Sequence, residues 1–153
     1  RSVKLLQRRV ELVILGKGHK YNYLKQYVYK NNLNSKVKFL GYKKNPFKYI
    51  RQANIFILTS KFEGSPNVLV EAQYLKKYII STNCPTGPKE ILNNGKYGSL
   101  VKVEDHKSIA KILQNYTYSK SVKKKIKFGY LNSKKFDYKF ACKNYFDLIQ
   151  KYI

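Results

Sequence analysis

Two kinds of apolar pattern alternate along the chain. Short, nearly unbroken apolar runs occupy residues 10–15, 37–40, 55–58 and 78–82, with a weaker one at 100–103, and most close on glycine or a polar turn. Runs of this length, bounded by turn residues, predict strands buried in a parallel sheet. Between them the apolar positions take helical spacing. Leu24, Tyr27 and Val28 predict a helix over 21–32, and Val68, Ala72 and Leu75 give a core face to one over 66–76. Shorter helices are expected at 46–52 and 88–92, and Ile109, Ala110, Ile112 and Leu113 mark another after Asp105. The chain then reads as helical over 122–133 and 138–152, where Phe140, Ala141, Tyr145, Leu148 and Ile149 are assigned to one face. Residues 1–9 suit the tail of a helix.

The punctuation agrees with this division. Asn45-Pro46 and Ser65-Pro66 each place a capping residue before a proline, whose missing N–H costs nothing at the first helical position. Asp105 and Asp137 are further N-caps, and Asn94-Gly95 ends the helix that Pro88 opens. Strand–helix alternation repeated five times predicts an α/β protein with a Rossmann-like, doubly wound parallel sheet. Residues 1–153 are expected to form a single domain, with 119–153 as its C-terminal helices, and no internal repeat or flexible linker interrupts it.

At 153 residues and 43% hydrophobic content the chain has room for one sizeable core. No apolar run approaches eighteen residues, and the first nine are too charged for a signal peptide, so a cytoplasmic location is expected. Cys84 and Cys142 are too few for a disulfide framework and lack metal-ligand spacing. The formal net charge is +24, from 32 Lys and Arg against 8 Asp and Glu. Such a field favours polyanions, whether nucleic acid, anionic lipid or phosphorylated small molecules, but it equally describes a lysine-rich solvated surface.

The chemistry concentrates between Asn54 and Ala72, where a strand, a polar loop and a helix start follow one another and two of the few carboxylates, Glu63 and Glu71, fall in the loop and the helix. In open α/β sheets, ligands occupy the crevice beyond the carboxyl ends of the strands. A helix N-terminus offers unpaired N–H groups and about half a positive charge, which suits phosphate. Gly64 leaves its backbone open to close approach. Asn67 and Glu71 are one helical turn apart, and from there a carboxylate can accept paired hydrogen bonds from vicinal hydroxyls. The competing reading is structural: a glutamate near a helix start complements the dipole, and a loop glutamate is solvated. Glu90 carries the same ambiguity, while His19 and His106 read as exposed and Cys84 has no neighbouring His to activate it.

Taken together, Glu63-Gly64-Ser65-Pro66-Asn67-Val68-Leu69-Val70-Glu71-Ala72 resembles the Glu-x7-Glu signature of retaining glycosyltransferases of family 4, which have two Rossmann-like domains in the GT-B arrangement. The resemblance extends to residues 12–18, to residues 37–42 with Asn45-Pro46, and to residues 84–92 with Asn94-Gly95 and Tyr97-Gly98. It implies that the chain is the C-terminal, donor-binding half of such an enzyme, transferring a sugar from a nucleotide-diphosphate donor, a UDP-sugar, to a glycan or lipid-linked acceptor with retention. Glu63 is then the catalytic residue that contacts the donor sugar, and Glu71 meets the ribose hydroxyls. Gly64, Ser65, Asn67 and Val68 surround the diphosphate, Gly41 and Tyr42 meet the base, and Gly87 and Glu90 line the donor pocket. No metal or other cofactor is expected, because N–H groups and cations would stabilise the leaving diphosphate.

Two departures from the family pattern stand out. Lys76-Lys77-Tyr78 replaces the usual Gly-x-Pro, and no strand with an Arg and a Lys for the diphosphate precedes Arg1. The expectation is therefore a sheet lacking its first strand, in a fragment or split-gene product that does not catalyse without its N-terminal domain. The lysine surplus adds an anionic membrane surface as a further partner and places the chain at the cytoplasmic membrane face. Two other functions compete. A dinucleotide-binding module would use Gly16-Lys17-Gly18, but the third glycine and the acid after the second strand are missing. A basic nucleic-acid-binding protein would use the charge and 15 Tyr, but these are dispersed, and nucleic acid is not expected as a partner.

Overall fold

The computed structural model describes residues 1–152. In chain order the elements are β1 (Leu12–Leu15), α1 (Tyr21–Lys30), β2 (Val37–Gly41), α2 (Phe47–Gln52), β3 (Ile55–Leu58), α3 (Asn67–Tyr74), β4 (Tyr78–Thr82), α4 (Pro88–Ile91), β5 (Ser99–Val101), α5 (His106–Gln114), α6 (Lys120–Ser133) and α7 (Tyr138–Ile149). Short 3₁₀ turns cover Ser2–Leu5 and Lys134–Phe136. The first of these takes the place of the expected helix tail. All three strand pairings are parallel, and the alternation of strands with helices is the α/β architecture the sequence predicts. The strands pair as two sets, β1-β2 and β3-β4-β5, rather than as one hydrogen-bonded ladder of five.

The chain forms two compact units, one of Arg1–Lys48 with Asp105–Thr117, the other of Tyr49–Glu104 with the residues from Tyr118 onward. In the first unit Val3, Val28, Leu33 and Val37 make the buried cluster. Arg8 closes it from outside: its Nη1 donates to the carbonyls of Leu113 and Tyr116, at 3.2 and 2.7 Å, at the C-terminal end of α5. A cation there meets the negative end of the helix dipole. β1 is less buried than its unbroken apolar sequence suggests, with Val13 37% exposed, and β2 carries the exposed Lys38.

The second unit is built on β4. Its five residues are all buried, because it lies between β3 and β5 and is covered on both faces. Ile50, Leu69, Ala72, Ile79, Ile91 and Leu92 form the core around it. α3 buries Leu69, Ala72 and Gln73; of the expected face, Ala72 is in the core and Leu75 packs against it, while Val68 is displaced by Leu69. Val68 is left 37% exposed at the helix start. Gln73 is buried but satisfied: its Nε2 donates to the Ile91 carbonyl at 3.0 Å, and its Oε1 accepts from Asn132 Nδ2 at 3.3 Å. α6 packs closely on α3 here because Gly129 is small; a Cβ on it would stand 3.2 Å from Gln73 Cγ.

The largest departure is at the C-terminus. No residue of α7 is buried, and Phe140, Tyr145, Leu148 and Ile149 are 49%, 69%, 50% and 55% exposed, so the apolar residues expected on one face stay outside the core. Helical spacing also sets Phe140 apart, on the side of Lys143, Asn144 and Asp147. Among the described residues no helix is long and apolar enough to cross a membrane.

Candidate functional site

The loop after β3 and the start of α3 are fixed by the neighbouring segment that runs from the end of β4 into the following loop. Thr82 Oγ1 donates to the Ser60 carbonyl at 2.6 Å, and Thr86 Oγ1 donates to the Glu63 carbonyl. Lys61 forms an ion pair with Glu104. Gly87, with φ +83 and ψ −69, lies directly against the carbonyl of Gly64 and the ring of Pro66. Such a backbone excludes side-chain-bearing residues, so the sequence needs glycine at position 87 for contact between the two loops. Gly87 therefore has a packing role that its place in the sequence motif does not reveal.

Pro66 occupies the N-cap position of α3, with φ −73 and ψ 91, and Asn67 is the first helical residue. The sequence predicts Ser65 as the cap and Pro66 as the first residue; the proline is too extended to enter the helix, and no side chain caps α3. The contrast with α5, α6 and α7 is direct, since Asp105, Ser119 and Asp137 each accept a backbone N–H there. The start of α3 is exposed at Asn67 and Val68, and Gly64 has open space where a Cβ would be. Unpaired N–H groups, a positive dipole end and an unobstructed glycine form an anion-receptive surface.

Glu63 and Glu71 are half-buried, one in the loop and one a turn into α3, while Glu90 is exposed in the first turn of α4. Their setting is informative when set against the other acids. Glu11 and Glu104 are bound to Lys38 and Lys61, and Asp105 and Asp137 cap helices. Glu63, Glu71 and Glu90 have no such partner among the described residues, and neither does the exposed Asp147 of α7. In a chain of net charge +24, Glu63 and Glu71 thus flank the start of α3 without a structural cation among the described residues.

Gly41 and Tyr42 belong to the first unit, where Gly41 has φ +65 and its carbonyl accepts from Gly16 N at 2.8 Å, and Tyr42 is 69% exposed. His19 is exposed, and His106, expected to be solvent-facing, is half-buried in the first turn of α5. Cys84 is 2% exposed, which removes it as an accessible nucleophile, whereas Cys142 is exposed. Among the described residues no group of three or more His, Cys, Asp or Glu converges. Thr82 and Thr86 are the members that sequence reasoning missed. Neither a threonine at a strand end, as Thr82 is, nor one in a loop, as Thr86 is, carries a pattern of its own, and only the approach of the two segments gives these hydroxyls their partners.

In open α/β folds ligands bind beyond the carboxyl ends of the strands, and a helix start of this kind suits a phosphate group. Residues 1–130 match the family described as "Glycosyl transferases group 1", and the chain belongs to that family. It is 33% identical over 156 residues to the uncharacterized glycosyltransferase MJ1059 of Methanocaldococcus jannaschii, covering 83% of this chain and 38% of that protein. It is also 33% identical over 109 residues to N-acetylgalactosamine-N,N'-diacetylbacillosaminyl-diphospho-undecaprenol 4-alpha-N-acetylgalactosaminyltransferase of Campylobacter jejuni, covering 71% of this chain and 30% of that one. In structure it is similar to Anabaena HepE in complex with UDP-glucose, with a TM-score of 0.87 over 98% of this chain and 43% of that chain at 18% identity. TarM gives a TM-score of 0.83 over 96% of this chain and 30% of that chain at 21% identity. The chain thus spans less than half the length of these relatives, and its α/β fold is that of the matching part of GT-B glycosyltransferases.

Proposed function

We propose that this chain is the donor-binding part of a retaining, family 4 glycosyltransferase that takes a nucleoside-diphosphate sugar, a UDP-sugar, as donor. The observation that carries the reading is the start of α3: a helix N-terminus without a side-chain cap, flanked by Gly64 and by two half-buried glutamates eight positions apart in sequence. The diphosphate sits against the backbone N–H groups at Asn67 and Val68 beside Gly64 and Ser65, Glu71 accepts from the ribose hydroxyls, and Glu63 accepts from hydroxyls of the sugar. Gly87 and Glu90 close the pocket from the neighbouring loop. The base contact of Gly41 and Tyr42 is proposed on the sequence resemblance alone.

As the bond from the sugar to the diphosphate breaks, negative charge grows on the leaving oxygens. Fixed N–H donors at the end of a helix stabilise that charge without reorganising, and the Arg and Lys that the family resemblance assigns to the opening of this same donor-binding domain complete the pocket, so no metal is required. The acceptor is a glycan or a lipid-linked sugar. The Campylobacter relative, whose name includes an undecaprenol-linked substrate, supports the lipid-linked form, which would place the enzyme at an anionic cytoplasmic membrane face. Residues 1–153 are on this reading one partial donor-binding domain, with 119–153 as its C-terminal helices and an N-terminal domain as partner. Titrating the chain with UDP by calorimetry tests the reading: saturable binding is expected, and salt-steep RNA binding without UDP binding would instead favour a nucleic-acid function.

A further inference from the structure

The backbone that carries Glu63 is held from one side. Thr82, 1% exposed and in register with Val101 in β5, is a rigid anchor, and it fixes Ser60. Three residues further on, Thr86 fixes the Glu63 carbonyl itself. Lys61, between these two points, is tied to Glu104, and Gly87 presses on Gly64 and Pro66 immediately after them. The Glu63 carboxylate makes no hydrogen bond or ion pair of its own among the described residues. Its direction therefore comes from its backbone: holding the Glu63 carbonyl restricts the peptide plane that follows it, and with the Ser60 carbonyl held three residues earlier this limits the rotations that would swing the Glu63 Cα–Cβ bond, leaving the side-chain torsions as the remaining freedom.

We propose that Thr86 is a positioning residue for Glu63: by holding the Glu63 carbonyl, its hydroxyl aims the carboxylate at the donor sugar without touching the donor. The inference rests on the donor-site reading of Glu63. Thr82 and Thr86 differ in a way that makes the proposal testable. Thr82 is buried, so its loss would disturb the fold, whereas Thr86 is exposed, and an exposed hydrogen bond contributes little to folding. What Thr86 contributes is orientation, and orientation acts on the ligand group that Glu63 meets.

The experiment compares the wild-type chain with Thr86→Val, which removes the hydroxyl at nearly constant shape, and Thr86→Ser, which keeps it. Dissociation constants are measured for UDP, UDP-glucose and UDP-N-acetylglucosamine, and the Glu63–Gly64 peptide is followed through the Gly64 amide resonance. Thr86→Val is expected to leave UDP affinity unchanged, to weaken the better UDP-sugar by about 3- to 10-fold, and to shift the Gly64 resonance, with Thr86→Ser restoring the last two to wild type. Equal losses for UDP and UDP-sugar in Thr86→Val, or no loss in either, would overturn the proposal, as would a wild-type chain that binds UDP-sugars no more tightly than UDP. Should the wild type bind no UDP at all, the donor reading fails first, and the resonance still decides whether Thr86 holds the loop: an unchanged Gly64 shift in Thr86→Val would overturn that as well.

Discussion

Gly87 and Gly64 meet backbone to backbone: a Cβ on Gly87 would lie 2.5 Å from the Gly64 carbonyl oxygen and 2.4 Å from Pro66 Cδ. Neither partner can give way, because one is main chain and the other is a buried proline ring at the entry to α3. With φ at +83 the residue is also strained for any L side chain. Gly87→Ala is therefore expected to destabilise the protein by about 1–3 kcal/mol, measured by urea denaturation, and to displace the start of α3. An unchanged unfolding midpoint would mean that the two loops separate easily.

Lys125 of α6 is a second point where one side chain holds a turn. Its Nζ donates to the carbonyls of Gly95 and Gly98, at 2.9 and 2.6 Å, and partial burial lowers its pKa from the usual lysine value. Methionine fills the same space but leaves both carbonyls without this donor. Lys125→Met is expected to cost about 1–3 kcal/mol in denaturant unfolding, with the loss confined to the second unit.

Asp105 provides a pH-dependent test. Hydrogen bonds from the Ser108 hydroxyl and N–H hold its carboxyl below the ordinary 3.8, and a carboxylate with a depressed folded-state pKa stabilises the fold above its unfolded value. That contribution is present in full from about pH 5 upward and is lost as the pH falls through the depressed value. Asp105→Ala is expected to lower the thermal midpoint at neutral pH and to narrow the gap from wild type on acidification. A gap that stays constant down to the acid limit would remove the cap from the account.

The strand and helix order was legible because apolar runs and turn residues act locally: residues 55–58 and 78–82 are strands as predicted, and Asp105 and Asp137 cap the helices they precede. Properties that depend on neighbours were less legible. Val68 and Leu69 are equally apolar, and only packing against β4 decides that Leu69 points inward. The amphipathic pattern of 138–152 predicts a buried face, yet a pattern cannot supply the surface that covers it. In the candidate site the glutamates and glycines stood out by type and spacing, while Thr82 and Thr86, which hold the loop, depend on contacts between segments more than twenty residues apart.

The ribose assignment of Glu71 can be isolated by changing protein and ligand together. An ionised carboxylate accepting hydrogen bonds from vicinal hydroxyls contributes about 1–3 kcal/mol, so Glu71→Ala should weaken UDP by about 5- to 150-fold. That loss alone does not locate the contact, since removing a negative charge beside a diphosphate also changes the local field, and in the opposite direction. Replacing UDP with 2′-deoxy-UDP removes one of the hydroxyls from the ligand side. If Glu71 meets the ribose, wild type discriminates against the deoxy ligand and Glu71→Ala does so much less, because the partner of the missing hydroxyl is already gone; the coupling in that cycle should reach about 0.5 kcal/mol or more. Additive losses would place Glu71 elsewhere in the pocket and leave the helix start as the nucleotide's remaining anchor.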